Sequence, residues 1–450
     1  VQSKCILCHT ANGAAGSTGL IFEKSTTTNY QAINQQRIVD FLSSEGVDST
    51  YLLTKAQGGL THGGGSQIVF GSDEYEILST HLGLVTGGGS GGTSSGDFWE
   101  GVGLLDSKQT LRKAALIFGG RLPTGAEYAA VSDNKETSLK VAIRNVMQGD
   151  GFHSFLTEGA NDRLLTYKFF EKRANFLNLN SSFLVEAAKQ QYEFAVQGKE
   201  DEFWDKHQYA RNGFARAAPE LIAYIVENEK PYSEILTADY TMVTPRLNFY
   251  YNGDAVFKNP DDNYEFSPAK MHGFMIDRDY SEQEYEELYG VRIDVEGERI
   301  TWPHAGVLND PAFLNRYPTT ATNRNRARSR WAQYFFLDFD IEKSAARTND
   351  PDALADKDNP TMNNPNCTVC HIPMDPIAGA FQNYGDVGWY RDQGGGNDSL
   401  PHTYKSSEDG SSLYQEGDTW YRDMREPGFY GQTVPDSDHS VQWLAQQIIK

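Results

Sequence analysis

The chain of 450 residues lacks any apolar run approaching the roughly 20 residues of a membrane-spanning helix. It is also poor in basic residues, with 40 Lys and Arg against 61 Asp and Glu, which leaves a net charge of −21. A surface this acidic repels nucleic acid and anionic lipid, so we expect neither as a partner. The hydrophobic (39%) and aromatic (12%) residues are too many for a disordered chain and predict a folded protein.

Cysteine is scarce as well, because the chain has four, arranged as two Cys-x-x-Cys pairs that are each followed directly by histidine. This pattern is typical of covalent haem c attachment, since two thiols three positions apart can bond the two vinyl groups of one porphyrin edge. The adjacent imidazole then lies beneath the iron as its proximal ligand. The sequence therefore predicts two covalently attached haem c groups. The residues assigned to them are Cys5, Cys8 and His9 for haem 1, and Cys367, Cys370 and His371 for haem 2.

Other uses of these cysteines fit the pattern less well. A redox-active disulfide would not explain the histidine that follows both pairs. A single Cys₄ zinc site normally places its pairs about 15–20 residues apart, whereas Cys8 and Cys367 lie 359 positions apart. Because haem c is attached outside the cytoplasm, we expect a periplasmic or extracellular protein. Val1 in place of an initiator Met is interpreted as a processed N-terminus.

Changes in composition divide the chain into blocks. Residues 1–85 are expected to form a small haem unit, and the Gly- and Ser-rich stretch at 86–96 is interpreted as a flexible linker. Residues 97–250 carry helical periodicity, whereas residues 251–450 are rich in Gly, Pro, Asn and Asp around the second motif. The predicted fold class is mainly α with loop-rich irregular regions.

Local signals predict some helix boundaries. Ser72 is a good N-cap for a helix that begins with acidic residues, and Thr124-Gly-Ala-Glu127 has the form of a capping box. An amphipathic run over 202–227 contains two candidate breaks, Gly213 and Pro219.

Several segments resemble planctomycete-type multi-domain c-type cytochromes. The segments that carry the likeness are 1–85, 107–157, 232–247, 305–308, 367–376 and 381–388. The resemblance implies an N-terminal class I-like cytochrome c domain, a central helical domain and a C-terminal loop-rich haem c domain in a secreted protein. The associated domains have no settled function, and the family implies no particular reaction.

The second axial ligand of haem 1 is predicted from position. Where class I cytochromes usually place a Met-Pro-Pro segment, this chain has Leu60-Thr-His62 followed by three glycines, and it has no Met before Met147. We therefore predict His62 as the distal ligand, since glycine neighbours let the backbone approach the iron closely. His81, on the following helix, is the alternative.

The second axial ligand of haem 2 is less constrained. Met374 follows His371 by three residues, on the same side of the chain, so the porphyrin would separate it from the distal face. His304 is predicted instead, because it is flanked by Trp302 and Pro303, which could line a haem pocket. The alternatives are an open site or one of His272, Met271, Met275 and His402.

A basic run and two acidic clusters have both plain and functional interpretations. Arg324, Arg326, Arg328 and Arg330 either form a solvated helix face or pair with haem propionates. The acidic clusters at 261–263 and 436–438 are interpreted as solvated turns rather than calcium sites, because neither resembles an EF-hand loop.

Two haems without a recognisable hydride cofactor or nucleophile triad favour electron transfer, to a redox protein partner or along an oligomer or filament of like subunits. A di-haem peroxidase or oxidase is the alternative, and it requires an open sixth position on one iron. A carbohydrate-binding accessory protein is a third hypothesis, based on the Trp and Tyr residues of the C-terminal third.

Overall fold

The computed structural model of the chain describes all residues except 1–4, 7, 12, 14, 45–46, 61, 63–65, 71, 87–102, 180–181, 277–296, 320–322, 346, 357–359, 386, 391–424 and 437. The predicted linker spans 86–96, and all of it except Thr86 lies outside the described residues. The fold is mainly helical, with 57% helix and 5% strand, and many loops join the helices. The prediction of a mainly α protein with loop-rich regions is confirmed at this level.

Helices are distributed along the whole described chain. The α-helices before residue 200 are Tyr30–Leu42, Ser49–Ala56, Asp73–Thr86, Ser107–Phe118, Gly125–Ala130, Glu136–Val146, Asp150–Leu164 and Val185–Val196. Those that follow are Glu200–Glu227, Glu234–Thr237, Pro245–Tyr250, Pro311–Arg316, Arg326–Leu337, Ile341–Ser344, Pro351–Ala355, Pro360–Asn363, Pro365–Ala380 and Ser440–Ile448. Short 3₁₀ helices span Thr166–Phe170, Asn175–Leu177 and Ser182–Leu184.

The strands of the described residues are short and pair in antiparallel twos. The pairs are Thr241–Val243 with Ser267–Ala269, His272–Ile276 with Gly297–Thr301, and Gly428–Phe429 with Gln432–Thr433. Such small ribbons are not stable alone in water and depend on packing against helices.

The chain forms two compact units, and each is made of two separated stretches. The first unit contains 1–102 and 337–370, and the second contains 103–336 and 371–450. The predicted boundaries near 85, 96 and 250 follow composition rather than contacts, and they stay predictions.

The first unit has a small apolar core around its N-terminal helices. Leu20, Phe22, Ile38 and Leu82 are buried together there. The helix over 73–86 begins as predicted, because the hydroxyl of Ser72 accepts a hydrogen bond from the Tyr75 amide over 3.3 Å. Few large side chains fill this core, so it is modest for its length.

The second unit is built on one extensive core. Its buried apolar residues run in sequence from Leu164 to Ala445, with Trp302 packed among aromatic rings. The helix Glu200–Glu227 crosses this core and continues unbroken through Gly213 and Pro219, so both predicted breaks are wrong. This rigid core supports the loops and helices that carry the second motif's histidine.

Candidate functional site

The first motif lies in a tight turn of the first unit. The His9 amide donates to the Cys5 carbonyl over 3.0 Å, so the motif is folded into one turn. Cys5 and Cys8 are both half-buried. A Cβ added at Gly13 would lie 2.2 Å from the Cys8 carbonyl oxygen, so only glycine fits against this turn.

A backbone carbonyl fixes the orientation of the His9 ring. Its Nδ1 lies 2.7 Å from the carbonyl oxygen of Leu20. Because a carbonyl can only accept, Nδ1 donates to it, and Nε2 is the ring nitrogen left for another partner. Metal-binding histidines in proteins are typically oriented by such a bond. Nothing in the sequence at Leu20 signalled this role, since the contact uses the backbone.

His62, the predicted distal ligand, lies opposite His9 in the first unit. The two ring centroids are 6.1 Å apart and the ring planes differ by 22°. A metal ion shared by two imidazole nitrogens at about 2.0–2.1 Å each would place the centroids about 6.4 Å apart. Ordinary aromatic contacts also cover this range. The support for a shared metal is this approach taken together with the Nδ1 bond of His9, which leaves its Nε2 for another partner.

The loop that carries His62 is tied to the preceding helix. The His62 amide donates to the Gly59 carbonyl over 3.3 Å, and the Gln67 amide donates to Ala56 over 2.8 Å. The ring contacts of His9 among the described residues are with Phe22 and His62 and do not include His81. The structure therefore brings His62 to His9, whereas His81 lies half-buried on the helix over 73–86.

The second motif lies on the helix Pro365–Ala380, not in a loop. Cys367 and Cys370 are half-buried, and residues three apart on a helix share one face. The division between the two units falls after Cys370, so the contacts of His371 belong to the second unit.

A carboxylate orients His371. Its Nδ1 lies 2.9 Å from Oδ1 of Asp375, one helical turn later and fully buried. Arg326 donates to the same carboxylate through Nε at 2.8 Å and a terminal nitrogen at 3.1 Å. An ionised carboxylate only accepts, so the Nδ1 of His371 donates to it, and Nε2 is the ring nitrogen left for another partner.

Asp375 is ionised in this setting. Burial alone would raise the pKa of its carboxyl, but hydrogen bonds from His371 and Arg326 and the charge of Arg326 outweigh burial, so the pKa lies below its usual value. The role of Asp375 was missed in the sequence. Its spacing of four from His371 is informative only once the segment is known to be helical.

The basic run is divided between structural uses. Arg328 is fully buried and donates to four backbone carbonyls and to the side chain of Asn325. These bonds engage all five of its N–H donors. Both predictions, a place on a solvated helix face and pairing with a haem propionate, are therefore wrong for Arg328. Arg326 instead forms an ion pair with Asp375.

His304, the predicted distal ligand of haem 2, is buried in the second unit. Its Nε2 accepts a hydrogen bond from the Met271 amide over 3.0 Å. Burial lowers its pKa to about 3, so the ring is neutral and Nδ1 carries the proton. An iron ligand at His304 would have to displace that amide, and the assignment stays a prediction.

Three of the alternatives for haem 2 lie within one short segment of the second unit, residues 271–275. Met271 is fully buried in the apolar core, and Nδ1 of His272 lies 3.1 Å from the hydroxyl of Thr301. Met275 lies on the strand over 272–276, and His402 lies outside the described residues. Which of them binds haem 2 stays a prediction.

Comparisons with known proteins add no family. No family model matches the chain, and no curated protein or solved structure matches it. Among the described residues there is no cluster of three or more His, Cys, Asp or Glu side chains suited to a metal ion. A haem iron takes four bonds from the porphyrin, so it needs only one or two protein ligands. None of the described helices is long and apolar enough to cross a membrane.

Proposed function

We propose that the chain is an extracytoplasmic di-haem c-type cytochrome that relays single electrons. The observation that carries the proposal is the pairing of His9 with His62 at 6.1 Å between ring centroids, beside a Cys-x-x-Cys pair. Two neighbouring imidazoles next to two suitably spaced thiols form the donor set that a covalent haem requires. The same motif is repeated at Cys367, where a carboxylate orients the histidine.

The residues of the first unit have distinct tasks in this proposal. Cys5 and Cys8 would hold the haem through thioether bonds, and His9 and His62 would supply its protein ligands. Bound haem would supply an iron that exchanges one electron and, with two imidazoles, has a lower potential than with His and Met. The carbonyl of Leu20 engages Nδ1 of His9, so Nε2 would be the nitrogen that holds the iron.

In the second site, Cys367 and Cys370 are the proposed attachment points and His371 the proximal ligand. The proposed architecture is a class I-like cytochrome c domain at 1–85, a helical domain at 97–250 and a loop-rich haem domain at 251–450. The proposed partner is a redox protein or a second copy of the chain in an assembly, outside the cytoplasm.

A di-haem peroxidase is a second candidate, favoured by one observation. The Nε2 of His304 is engaged by the Met271 amide, which leaves the sixth position of haem 2 without an assigned ligand. An open position together with an acid or base nearby would permit reaction with peroxide.

Spectra of the oxidised protein distinguish the two candidates. Optical and EPR spectra would be recorded before and after hydrogen peroxide is added. The relay proposal expects two low-spin irons that peroxide leaves unchanged. A high-spin iron consumed by peroxide would overturn it in favour of the enzyme.

A further inference from the structure

The two proposed proximal histidines differ in what their Nδ1 atoms contact. His9 donates to a neutral carbonyl, that of Leu20, at 2.7 Å. His371 donates to a charged carboxylate, that of Asp375, at 2.9 Å. The motifs are the same in pattern, so the difference lies outside them.

A charged acceptor changes the imidazole more than a neutral one. A carboxylate draws the Nδ1 proton toward itself and leaves more electron density on Nε2, which makes the ring a more basic ligand. A more basic ligand stabilises the oxidised iron relative to the reduced iron. The reduction potential therefore falls.

The packing around Asp375 suits such a role. The carboxylate is fully buried, so water does not weaken its bond to His371. Arg326 holds both of its oxygens, and the hydroxyl of Ser329 donates to the Met374 carbonyl over 2.7 Å, which anchors the same turn of helix. The acceptor is both charged and fixed in place.

We propose that Asp375 is a positioning residue that gives His371 partial imidazolate character and thereby lowers the reduction potential of haem 2. Arg326 limits the effect by sharing the carboxylate. The inference rests on the proposed function, because it requires haem at Cys367 and Cys370.

The test is a spectroelectrochemical titration of the holoprotein and of Asp375→Asn. The amide keeps the shape of the side chain but removes its charge. One of the two reduction potentials is expected to rise by at least about 59 mV, which corresponds to a tenfold change in the one-electron equilibrium constant. The other potential should not move, and His62→Ala, which alters haem 1, identifies it.

A second variant keeps the inference testable if Asp375→Asn yields no folded protein. In Arg326→Gln, the Asp375 carboxylate accepts a hydrogen bond from His371 without sharing its charge with Arg326. The reduction potential of haem 2 is therefore expected to fall. Asp310→Asn is the matched control, since it removes another buried carboxylate of the second unit that bonds to Thr241. It should leave both potentials unchanged.

The outcomes separate the inference from the proposed function. Two haems per chain with a haem 2 potential that neither variant moves would overturn the role of Asp375 and leave the cytochrome proposal standing. Wild-type protein without covalent haem would overturn both. An equal shift in Asp310→Asn would also overturn the inference, because it would show a general effect of buried charge.

Discussion

At the scale of single residues, the ring orientations of His9 and His371 depend on what lies behind each ring. Leu20 supplies a carbonyl to His9, and Asp375 supplies a carboxylate to His371. Both partners accept a hydrogen bond from Nδ1 and leave Nε2 for another partner. The Cys-x-x-Cys-His pattern predicts which atoms would bind haem, and these partners fix how the two imidazoles are oriented.

The assignment of His62 over His81 predicts a specific spectral change. His62→Ala should convert one of two low-spin irons to high-spin, because it removes an axial ligand. His81→Ala is the control and should leave both irons low-spin. Optical and EPR spectra of the oxidised variants make the measurement, and the opposite assignment of effects would contradict the pairing seen with His9.

A histidine outside the proposed haem sites predicts a pH dependence of stability. His153 lies 3.1 Å from both Glu220 and Glu227, and its hydrogen bond to Glu220, with the charges of both acids, raises its pKa to about 9. A pKa raised from about 6.5 means that His153 stabilises the fold fully below pH ~6.5 and that this contribution is lost as pH rises through about 9.

His153→Gln should therefore flatten the loss of stability between about pH 7 and pH 10. Denaturant midpoints measured across that range make the comparison, and His439→Gln, at an exposed position, is the control. If the denaturant midpoints of wild type and His153→Gln differ by the same amount at every pH, the proposed role of His153 is contradicted.

At the scale of elements, the capping signals at Ser72 and Thr124 predicted where two helices begin. The capping box at Thr124 and Glu127 is present, with the Thr124 amide donating to Glu127 over 2.7 Å. The long helix over 200–227 continues through Gly213 and Pro219, where breaks were predicted. A glycine in a helical pattern can mark either a break or a close contact. Gly213 marks a close contact, because Thr244 packs against it.

Gly213 provides a test of that close contact. A Cβ there would lie 2.6 Å from Oγ1 of Thr244 and 3.2 Å from Cβ of Leu247. Gly213→Ala should therefore lower the free energy of unfolding by about 1–3 kcal/mol, as overpacked cores do. Gly159→Ala is the matched control in an exposed helix position with open space around it.

The control should raise stability by about 0.5–1 kcal/mol, because alanine loses less backbone entropy than glycine in a helix. Chemical denaturation of the two variants makes the measurement. A stabilised Gly213→Ala would show that the helix does not approach Thr244 as closely as the structure has it.

At the scale of the whole molecule, helical periodicity and composition together were enough to predict a mainly helical protein with loop-rich regions. The two compact units were not predictable, because each joins stretches far apart in sequence. The same limit applies to the site. His62 was predicted from its position after the first motif, and that assignment stays a prediction. Arg326 and Asp375 are 49 residues apart, and only the fold brings the two together.

The proposal that the chain carries two covalent haems is tested most directly by the mass of the intact, denatured protein. The protein would be made in a host that attaches haem c, together with two paired variants, Cys5→Ser with Cys8→Ser and Cys367→Ser with Cys370→Ser. We predict two haems on the wild-type chain and one on each variant. A wild-type mass equal to that of the bare polypeptide would contradict the account.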